Sequence, residues 1–382
     1  MGATAIRAIA APARVDWSAI ARGLGPRFAA RAAAMDEEDL FVSENFAELK
    51  AAGLIAAAVP AELGGGGAGH AELGTVLREL GRRCGSTALA FAMHTHQVAT
   101  AAWRWRYQQA PVERLLRRVA HERIVLVSSG DSDWLQSSGT AARVAGGFRI
   151  DARKTFASGA PVGDLLMTSA VYADAPNGPT VLHFAVPMDA LGVKIVPTWR
   201  ALGMRGSGSH DIALDNVFIA DAGISSMRPQ GKWHPLFHTL SMIAFPLICS
   251  AYVGVAQAMR DLAVQLAGER CGDDHLVYQV GGVENDLAAA KLALADMFAA
   301  AATNKPGVET TNRIMIGRTL VARSVLSVAE HALEAAGGSG FYRDRGLERL
   351  FRDAQAARFH PLQEGPQRDY AGRVALGLEV SA

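Results

Sequence analysis

The order of its secondary-structure patterns constrains the fold of this chain more than any other sequence feature. A first helical region, with apolar residues at 3/4 spacing, is followed by short β-like runs separated by Gly, Asp, Asn and Pro, and the last region is helical again. The 382 residues also exceed one ordinary core of about 100–200 residues. We therefore predict an α+β protein with an N-terminal helical domain (1–122), a middle β-domain (123–226) and a C-terminal helical domain (227–382).

The charge balance and the cysteines exclude several classes of protein. Lys and Arg number 38 against 37 Asp and Glu, so the basic surplus needed to neutralise nucleic-acid phosphates is missing. Cys84, Cys249 and Cys271 are odd in number and widely spaced, which argues against a disulfide framework and a CxxC metal site. We expect a cytoplasmic globular protein with no metal and no nucleic-acid partner.

One long segment, Trp233–Met259, contains no formally charged residue. It exceeds the ~20 residues that span a bilayer, but it includes two histidines, Pro246 and several hydroxyls. We interpret it as a buried core helix and expect no membrane partner. Because such a helix is too apolar to remain exposed in a monomer, we also predict a homo-oligomer.

Five motifs occur in a fixed order between about residues 45 and 375. They are Leu54-Ile-Ala-Ala-Ala-Val-Pro-Ala-Glu-Leu-Gly-Gly, Arg78-Glu-Leu-Gly-Arg-Arg-Cys-Gly-Ser-Thr-Ala, Arg153-Lys-Thr-Phe-Ala-Ser-Gly-Ala-Pro-Val-Gly-Asp, Leu202-Gly-Met-Arg-Gly-Ser-Gly-Ser-His-Asp, and Gly337-Gly-Ser-Gly-Phe with Leu347-Glu-Arg-Leu-Phe-Arg-Asp-Ala. Together they resemble the motifs of the acyl-CoA dehydrogenase superfamily. The resemblance implies a C-terminal four-helix bundle, FAD between the β-domain and this bundle, and a homodimer or homotetramer. It also implies α,β-dehydrogenation of an acyl thioester, carried by CoA or a carrier protein, with hydride transfer to flavin N5.

A flavin ring needs an apolar slot with hydrogen-bond donors near N5 and its carbonyls. The resemblance assigns these donors to Ser128 and Ser129, after the first strand, and to Ser158 near N5, with Phe156 in place of the usual Trp. The Thr-Glu-Pro sequence common in dehydrogenases is missing at the first of these positions. For Ser158 the alternative is a local bond from its side chain to the backbone.

The resemblance assigns the pyrophosphate and adenine end of FAD to Arg270, Gln279, Gly337 and Gly338. The sequence after Arg270, Cys-Gly-Asp-Asp-His, lacks the family's Phe-Gly and carries acids that disfavour a phosphate. Arg270 is alternatively a solvated helix-end charge, and the glycine pair a helix C-cap.

Neither position at which the family usually carries its catalytic Glu holds an acid here. One falls on Pro361 and the other near Ala244. A dehydrogenase therefore has to use Glu364, three residues late, or His360 as its base. His360 is alternatively a loop histidine bonded to backbone.

Two further functions remain open. The first is a flavin-dependent monooxygenase of this fold. Some of these enzymes pair a Ser in the "SG" turn with a C-terminal His around a C4a-hydroperoxyflavin, and Ser158 and His360 match these two residues. The cofactor of such an enzyme is reduced FMN or FAD. The other is a degenerate, non-catalytic family member. We favour dehydrogenation because the shared motifs are widespread among dehydrogenases. The sequence leaves the acyl chain, its carrier and the electron acceptor open.

A third histidine motif, His94-Thr-His96, lies in a helical pattern, where positions i and i+2 point to different faces. This geometry does not suit two ligands of one metal. We predict a core or interface role for both histidines.

Overall fold

A computed structural model describes residues 15–130, 133–268 and 274–380 of the chain. Its N-terminal part consists of helices α1 (Trp17–Glu37), α2 (Ser43–Ala51), α3 (His70–Gly81), α4 (Gly85–Gln108) and α5 (Glu113–Glu122). The side chain of Asp16 caps α1 by accepting a hydrogen bond from the Ala19 amide. The apolar stripe of α3 is buried over its whole length, at Leu73, Val76, Leu77 and Leu80.

The middle part is a mixed sheet with strands β1 (Leu126–Ser128), β2 (Thr140–Val144), β3 (Gly147–Ala157), β4 (Leu165–Tyr172), β5 (Thr180–Pro187), β6 (Val193–Val196), β7 (His210–Ala220) and β8 (Ile224–Pro229). Their order is β6-β7-β3-β2-β4-β5-β8, with β1 parallel to β4. The strands enclose a small core of their own, which includes Ile150, Leu166, Phe184 and Ile212.

A buried lysine fixes the loop that follows β1. The Lys154 side chain is fully buried, and its ammonium donates to Asp133 Oδ1 (2.9 Å), the Ser138 carbonyl (2.6 Å) and the Ser169 carbonyl (2.5 Å). Burial lowers the pKa of Lys154, although the nearby Asp133 opposes this shift. These bonds connect the loop at Asp133–Ser138 to the sheet.

The C-terminal part contains α6 (Pro235–Gly268), α7 (Asp274–Ala301), α8 (Val308–Ala336), α9 (Leu347–Gln355) and α10 (Glu364–Ala375). Helices α6, α7 and α8 pack on one another, and α3 and α4 pack on α6. These three parts confirm the predicted α+β organisation, in which a β-domain lies between two helical parts of the chain.

Helix α6 contains the charge-free segment and lies in the core, as predicted. By length and composition it could cross a membrane, but 94% of its most apolar 18-residue window is buried inside the protein. The expectation that a second subunit must cover this helix was wrong, because the single chain already covers it. The homo-oligomer stays a prediction.

Candidate functional site

The Ser158 turn ends strand β3 with an irregular backbone. The register between β3 and β7 shifts between Lys154 and Ala157, and Phe156 within this irregularity adopts a left-handed φ of 55°. Such a backbone is uncommon for a bulky residue and is typical of functional sites. Phe156 is 46% exposed, and its ring meets the ring of Trp199 edge to face at a centroid distance of 5.9 Å. An aromatic surface therefore remains uncovered beside Ser158.

The first strand ends next to this turn. Ser128 is the last residue of β1, and the Ser129 hydroxyl lies 3.0 Å from the Thr168 hydroxyl. The Gly130 amide donates to the Thr155 carbonyl (3.2 Å), which brings the end of β1 against the irregular end of β3. The four residues predicted to contact the flavin ring, Ser128, Ser129, Phe156 and Ser158, thus lie at one end of the sheet.

The Ser158 hydroxyl does not form the local bond to the backbone that was its alternative role. It is buried and lies 2.7 Å from the hydroxyl of Ser209. The Ser158 turn is joined to the segment before β7 a second time, because the Gly159 amide donates to the Ser207 carbonyl (2.9 Å).

His360 lies in the short segment between α9 and α10 and faces α6. Its Nε2 is 2.6 Å from the Tyr252 hydroxyl, and the two rings meet edge to face. Burial, together with the smaller electrostatic effects of Arg318 and His96, lowers the pKa of His360 to about 3. Burial also raises the pKa of Tyr252, so at neutral pH the imidazole and the phenol are both uncharged.

The tautomer of His360 follows from the burial of Tyr252. The phenolic proton is fully buried and needs an acceptor, and among the described residues that acceptor is His360 Nε2. A neutral imidazole carries one proton, so Tyr252 donating to Nε2 leaves the imidazole proton on Nδ1. We assign His360 as a neutral Nδ1–H donor.

Arg318 of α8 holds this segment in place. It is 3% exposed, and its Nη2 donates to the carbonyl oxygens of Ala357 (3.0 Å), Arg358 (3.2 Å) and His360 (2.7 Å). No carboxylate of the described chain forms an ion pair with it, and burial lowers its pKa. The site is thus a neutral imidazole beside a buried cation.

Helix α4 connects the two groups of residues. Its Ala90 carbonyl is 3.9 Å from the position that a Cβ would take at Gly159. His96 follows six residues later, about 9 Å along the helix axis, and lies near enough to His360 to lower the pKa of that imidazole. The Ser158 turn and the His360 segment therefore both lie near helix α4.

The two histidines of α4 differ. His94 is a core residue, as predicted, because its Nε2 bonds the Ile55 carbonyl (2.9 Å) and its Nδ1 accepts from the Leu126 amide (3.0 Å). His96 is also buried, but its Nδ1 has no partner within the described part of the chain. The spacing of the two histidines argued against a metal site but did not indicate that His96 adjoins His360.

Glu364, the other candidate base, begins helix α10 and forms an ion pair with Arg323 at the surface. Its side chain is 41% exposed, and the hydrogen bond from Arg323 lowers its pKa. No described contact joins Glu364 to Tyr252 or Ser158.

Three of the four residues predicted for the adenine end are described by the structure. Gly337 caps α8 with a φ of 60°, which agrees with the C-cap alternative, and the segment it begins packs on α6, α8 and α9. A Cβ at Gly338 would meet no atom within 4 Å. Gln279 lies on α7 with its amide 3.4 Å from His275, and Arg270 lies outside the described residues. Their roles at a cofactor stay predictions.

Comparison with known families decides the affiliation. Models of the acyl-CoA dehydrogenase N-terminal, middle and C-terminal domains match residues 20–120, 128–217 and 247–364. The chain belongs to the acyl-CoA dehydrogenase superfamily. A benzylmalonyl-CoA dehydrogenase of Aromatoleum aromaticum is 31% identical to this chain, and the match covers 74% of this chain and 74% of the length of the dehydrogenase.

Other relatives are named for different chemistry. An amino sugar nitrososynthase of Streptomyces rubradiris is 28% identical over 97% of this chain and 92% of its own. The X-ray structure of KijD3 in complex with FMN and dTDP-3-amino-2,3,6-trideoxy-4-keto-3-methyl-D-glucose has a TM-score of 0.88 at 28% identity, covering 98% of this chain and 96% of that one. The protein is thus a flavin oxidoreductase of this superfamily, while the acyl thioester substrate and its dehydrogenation are not confirmed.

The residues present fit a flavin. Phe156 offers an uncovered aromatic face, and Ser128, Ser129 and Ser158 supply hydroxyls at the same end of the sheet. His96 contributes a buried ring nitrogen without a partner among the described residues. Apolar surface with convergent donors is what a flavin ring requires.

The buried histidines predict how stability depends on pH. Burial lowers the pKa of five of them, to about 4 for His70, His94, His96 and His183 and to about 3 for His360. Below about pH 6.5 the unfolded chain binds protons that the folded chain does not, so each contributes a loss of up to about 1.4 kcal/mol per pH unit on acidification.

His70→Gln should therefore flatten this dependence by about one proton while preserving the fold, because Gln can still donate to the Ile243 carbonyl as His70 Nε2 does. Urea titrations between pH 5 and 7.5 measure the slope of the unfolding free energy. Asp353 has the opposite effect on the pH dependence of stability, because burial raises its pKa to about 6 and the folded chain then binds its proton more tightly than the unfolded chain. This effect offsets that of only about one histidine. An unchanged slope in His70→Gln would contradict the prediction.

Proposed function

We propose that this protein is a flavin-dependent monooxygenase that oxygenates a nucleophilic heteroatom of a small molecule, an amine nitrogen in the first instance. The observation that carries the proposal is the neutral His360–Tyr252 pair beside Arg318, with no carboxylate bonded to it in the described chain. The relatives named amino sugar nitrososynthases, which match nearly the whole chain, support an amino group as the target.

Dehydrogenation of an acyl thioester needs a base that removes an α-proton. Glu364 is at the surface and paired with Arg323, and Ala244 is a buried apolar residue of α6. His360 is a poor base as well, because its conjugate acid has a pKa of about 3 next to a buried cation. These observations favour oxygenation over the dehydrogenation that the shared motifs suggested.

Bound reduced flavin supplies two electrons to O₂, so that one oxygen atom enters the substrate and the other leaves as water. The chain's own residues hold and order the reactants. His360 offers an Nδ1 proton as a neutral donor to negative charge on oxygen, and Tyr252 fixes that tautomer. Ser158 would donate a hydrogen bond to a bound flavin, and the buried Arg318 charge would disfavour protonation of the amine, so that the lone pair of its nitrogen stays available.

Incorporation of labelled oxygen tests the proposal. The protein is supplied with FMN or FAD, a flavin reductase, NADH and ¹⁸O₂ together with a thymidine diphosphate amino sugar or simpler primary amines. We expect ¹⁸O in the product by mass spectrometry, dependent on O₂ and reduced flavin. Anaerobic bleaching of bound flavin by an acyl-CoA would instead support dehydrogenation and overturn the proposal.

Glu364→Gln should leave turnover within about twofold of wild type, since the carboxylate is solvent-exposed and bonds only Arg323 in the described structure. Steady-state rates of product formation measure this, with Arg323→Gln as the matched control for the same ion pair. A loss of more than about a hundredfold, the range for a missing general base, would identify Glu364 as catalytic.

A further inference from the structure

Three buried serine hydroxyls form a continuous chain that ends at the Ser158 turn. The Oγ atoms of Ser158 and Ser209 are 2.7 Å apart, and those of Ser209 and Ser207 are also 2.7 Å apart. Ser207 is fully buried, Ser209 is 2% exposed and Ser158 is 8% exposed. Ser158 directly follows β3, while Ser207 and Ser209 belong to the loop before β7.

The direction of the hydrogen bonds in this chain follows from counting protons. Three hydroxyls carry three protons, and the two bonds between them use two. The third proton belongs to Ser207, to Ser209 or to Ser158. At Ser207 or Ser209 it would be buried, and the described residues provide no acceptor for it outside this chain of hydroxyls. A buried proton without an acceptor is unfavourable, so Ser207 donates to Ser209 and Ser209 donates to Ser158.

The loop that carries Ser207 and Ser209 is fixed on helix α9. The Met204 amide donates to the buried Asp353 carboxylate (2.5 Å), and the Met204 carbonyl accepts from the Trp199 indole (3.0 Å). Gly203 packs so closely that a Cβ there would lie 2.2 Å from the Arg352 carbonyl oxygen. The chain of hydroxyls is therefore ordered before any ligand binds.

We propose that Ser209 is a positioning residue that turns the Ser158 hydroxyl into an obligate donor toward the flavin. Because Ser158 already accepts from Ser209, its own proton is left for an acceptor outside this chain of hydroxyls, and the nearby Phe156 is exposed. A fixed donor stabilises the electron-rich reduced flavin more than the oxidised flavin. This inference rests on the proposed location of the flavin beside Ser158.

The test compares affinities for the two redox forms of FMN. Dissociation constants for oxidised FMN, by fluorescence quenching, and for reduced FMN, by anaerobic titration, are measured for wild type and Ser209→Ala. We expect Ser209→Ala to weaken binding of reduced FMN about tenfold and that of oxidised FMN less than about threefold, since one aligned hydrogen bond to a charged group is lost. Ser209→Thr keeps the hydroxyl and should restore the wild-type ratio of the two constants.

A second serine pair of the β-domain provides the matched control. Ser169 Oγ lies 2.9 Å from Ser137 Oγ, so Ser169→Ala also removes one buried hydroxyl bond, away from the Ser158 turn. The ratio of the two constants should not change in this variant.

An unchanged ratio in Ser209→Ala, with wild-type binding intact, would overturn the inference alone. If Ser209→Ala does not fold, Ser209→Cys takes its place, because a thiol is a much weaker donor than a hydroxyl. An unchanged ratio in Ser209→Cys would overturn the inference in the same way. A wild-type protein that does not bind reduced flavin would overturn the inference and the proposed function together.

Discussion

His360→Ala should reduce the rate of product formation by roughly two to four orders of magnitude, while the affinity for flavin changes little. The reason is that His360 provides a neutral Nδ1 proton that no other described group near Tyr252 replaces: Arg318 is committed to backbone carbonyls, and the Tyr252 proton is given to His360. Initial rates with saturating reduced FMN measure the loss, and flavin titration measures the retained binding.

Two variants make this result specific. Tyr252→Phe removes the hydroxyl that fixes the tautomer but keeps the imidazole, so we expect a smaller loss, about tenfold. His360→Asn keeps an amide donor and should recover part of the activity of His360→Ala. If His360 only stabilises the loop, His360→Ala lowers stability by about 1 kcal/mol and leaves activity per folded molecule unchanged, and the catalytic assignment is then wrong.

Much of the fold was predictable because the local signals are strong where burial is regular. Strand β4 (Leu165–Tyr172) and the apolar stripe of α3 lie within the β-like and the first helical region that the sequence predicts. Strands β2 (Thr140–Val144) and β8 (Ile224–Pro229) have weak local signals, because both are mostly exposed and their polar residues do not alternate with apolar ones. Their strand conformation depends on pairing with β3 and β5, which a single sequence does not reveal.

The residues of the candidate site also differ in how far the sequence predicted them. The serines predicted to contact the flavin ring and His360 came from motifs, whereas Tyr252 and Arg318 lie in helices whose apolar residues indicated only a core role. Tyr252 and His360 are 108 positions apart in the chain, and no local pattern connects them. A charged residue on the buried face of α8 was the one available signal for Arg318, since such a charge needs dedicated partners.

The largest structural effect is expected at that residue. Arg318→Met preserves most of the side-chain volume but removes the donor for three carbonyl oxygens, those of Ala357, Arg358 and His360. We expect the free energy of unfolding to fall by about 2–4 kcal/mol, because buried carbonyls left without donors cost about 1–3 kcal/mol each and loss of the desolvated cation offsets part of this. Urea titration at pH 7.5 measures the change.

Under conditions where the variant remains folded, Arg318→Met should also reduce turnover at least a hundredfold. Without the hydrogen bond from Arg318 to the His360 carbonyl, the imidazole no longer keeps its position against Tyr252. Arg323→Met is the matched control: this arginine lies on the same helix but is exposed and bonds Glu364, so stability and turnover should hardly change. Arg318→Lys retains the charge with a single donor group, so its stability and turnover should lie between those of Arg318→Met and Arg323→Met. If Arg318→Met kept wild-type turnover when folded, His360 would act without a fixed backbone, and the geometry proposed for the reaction would be wrong.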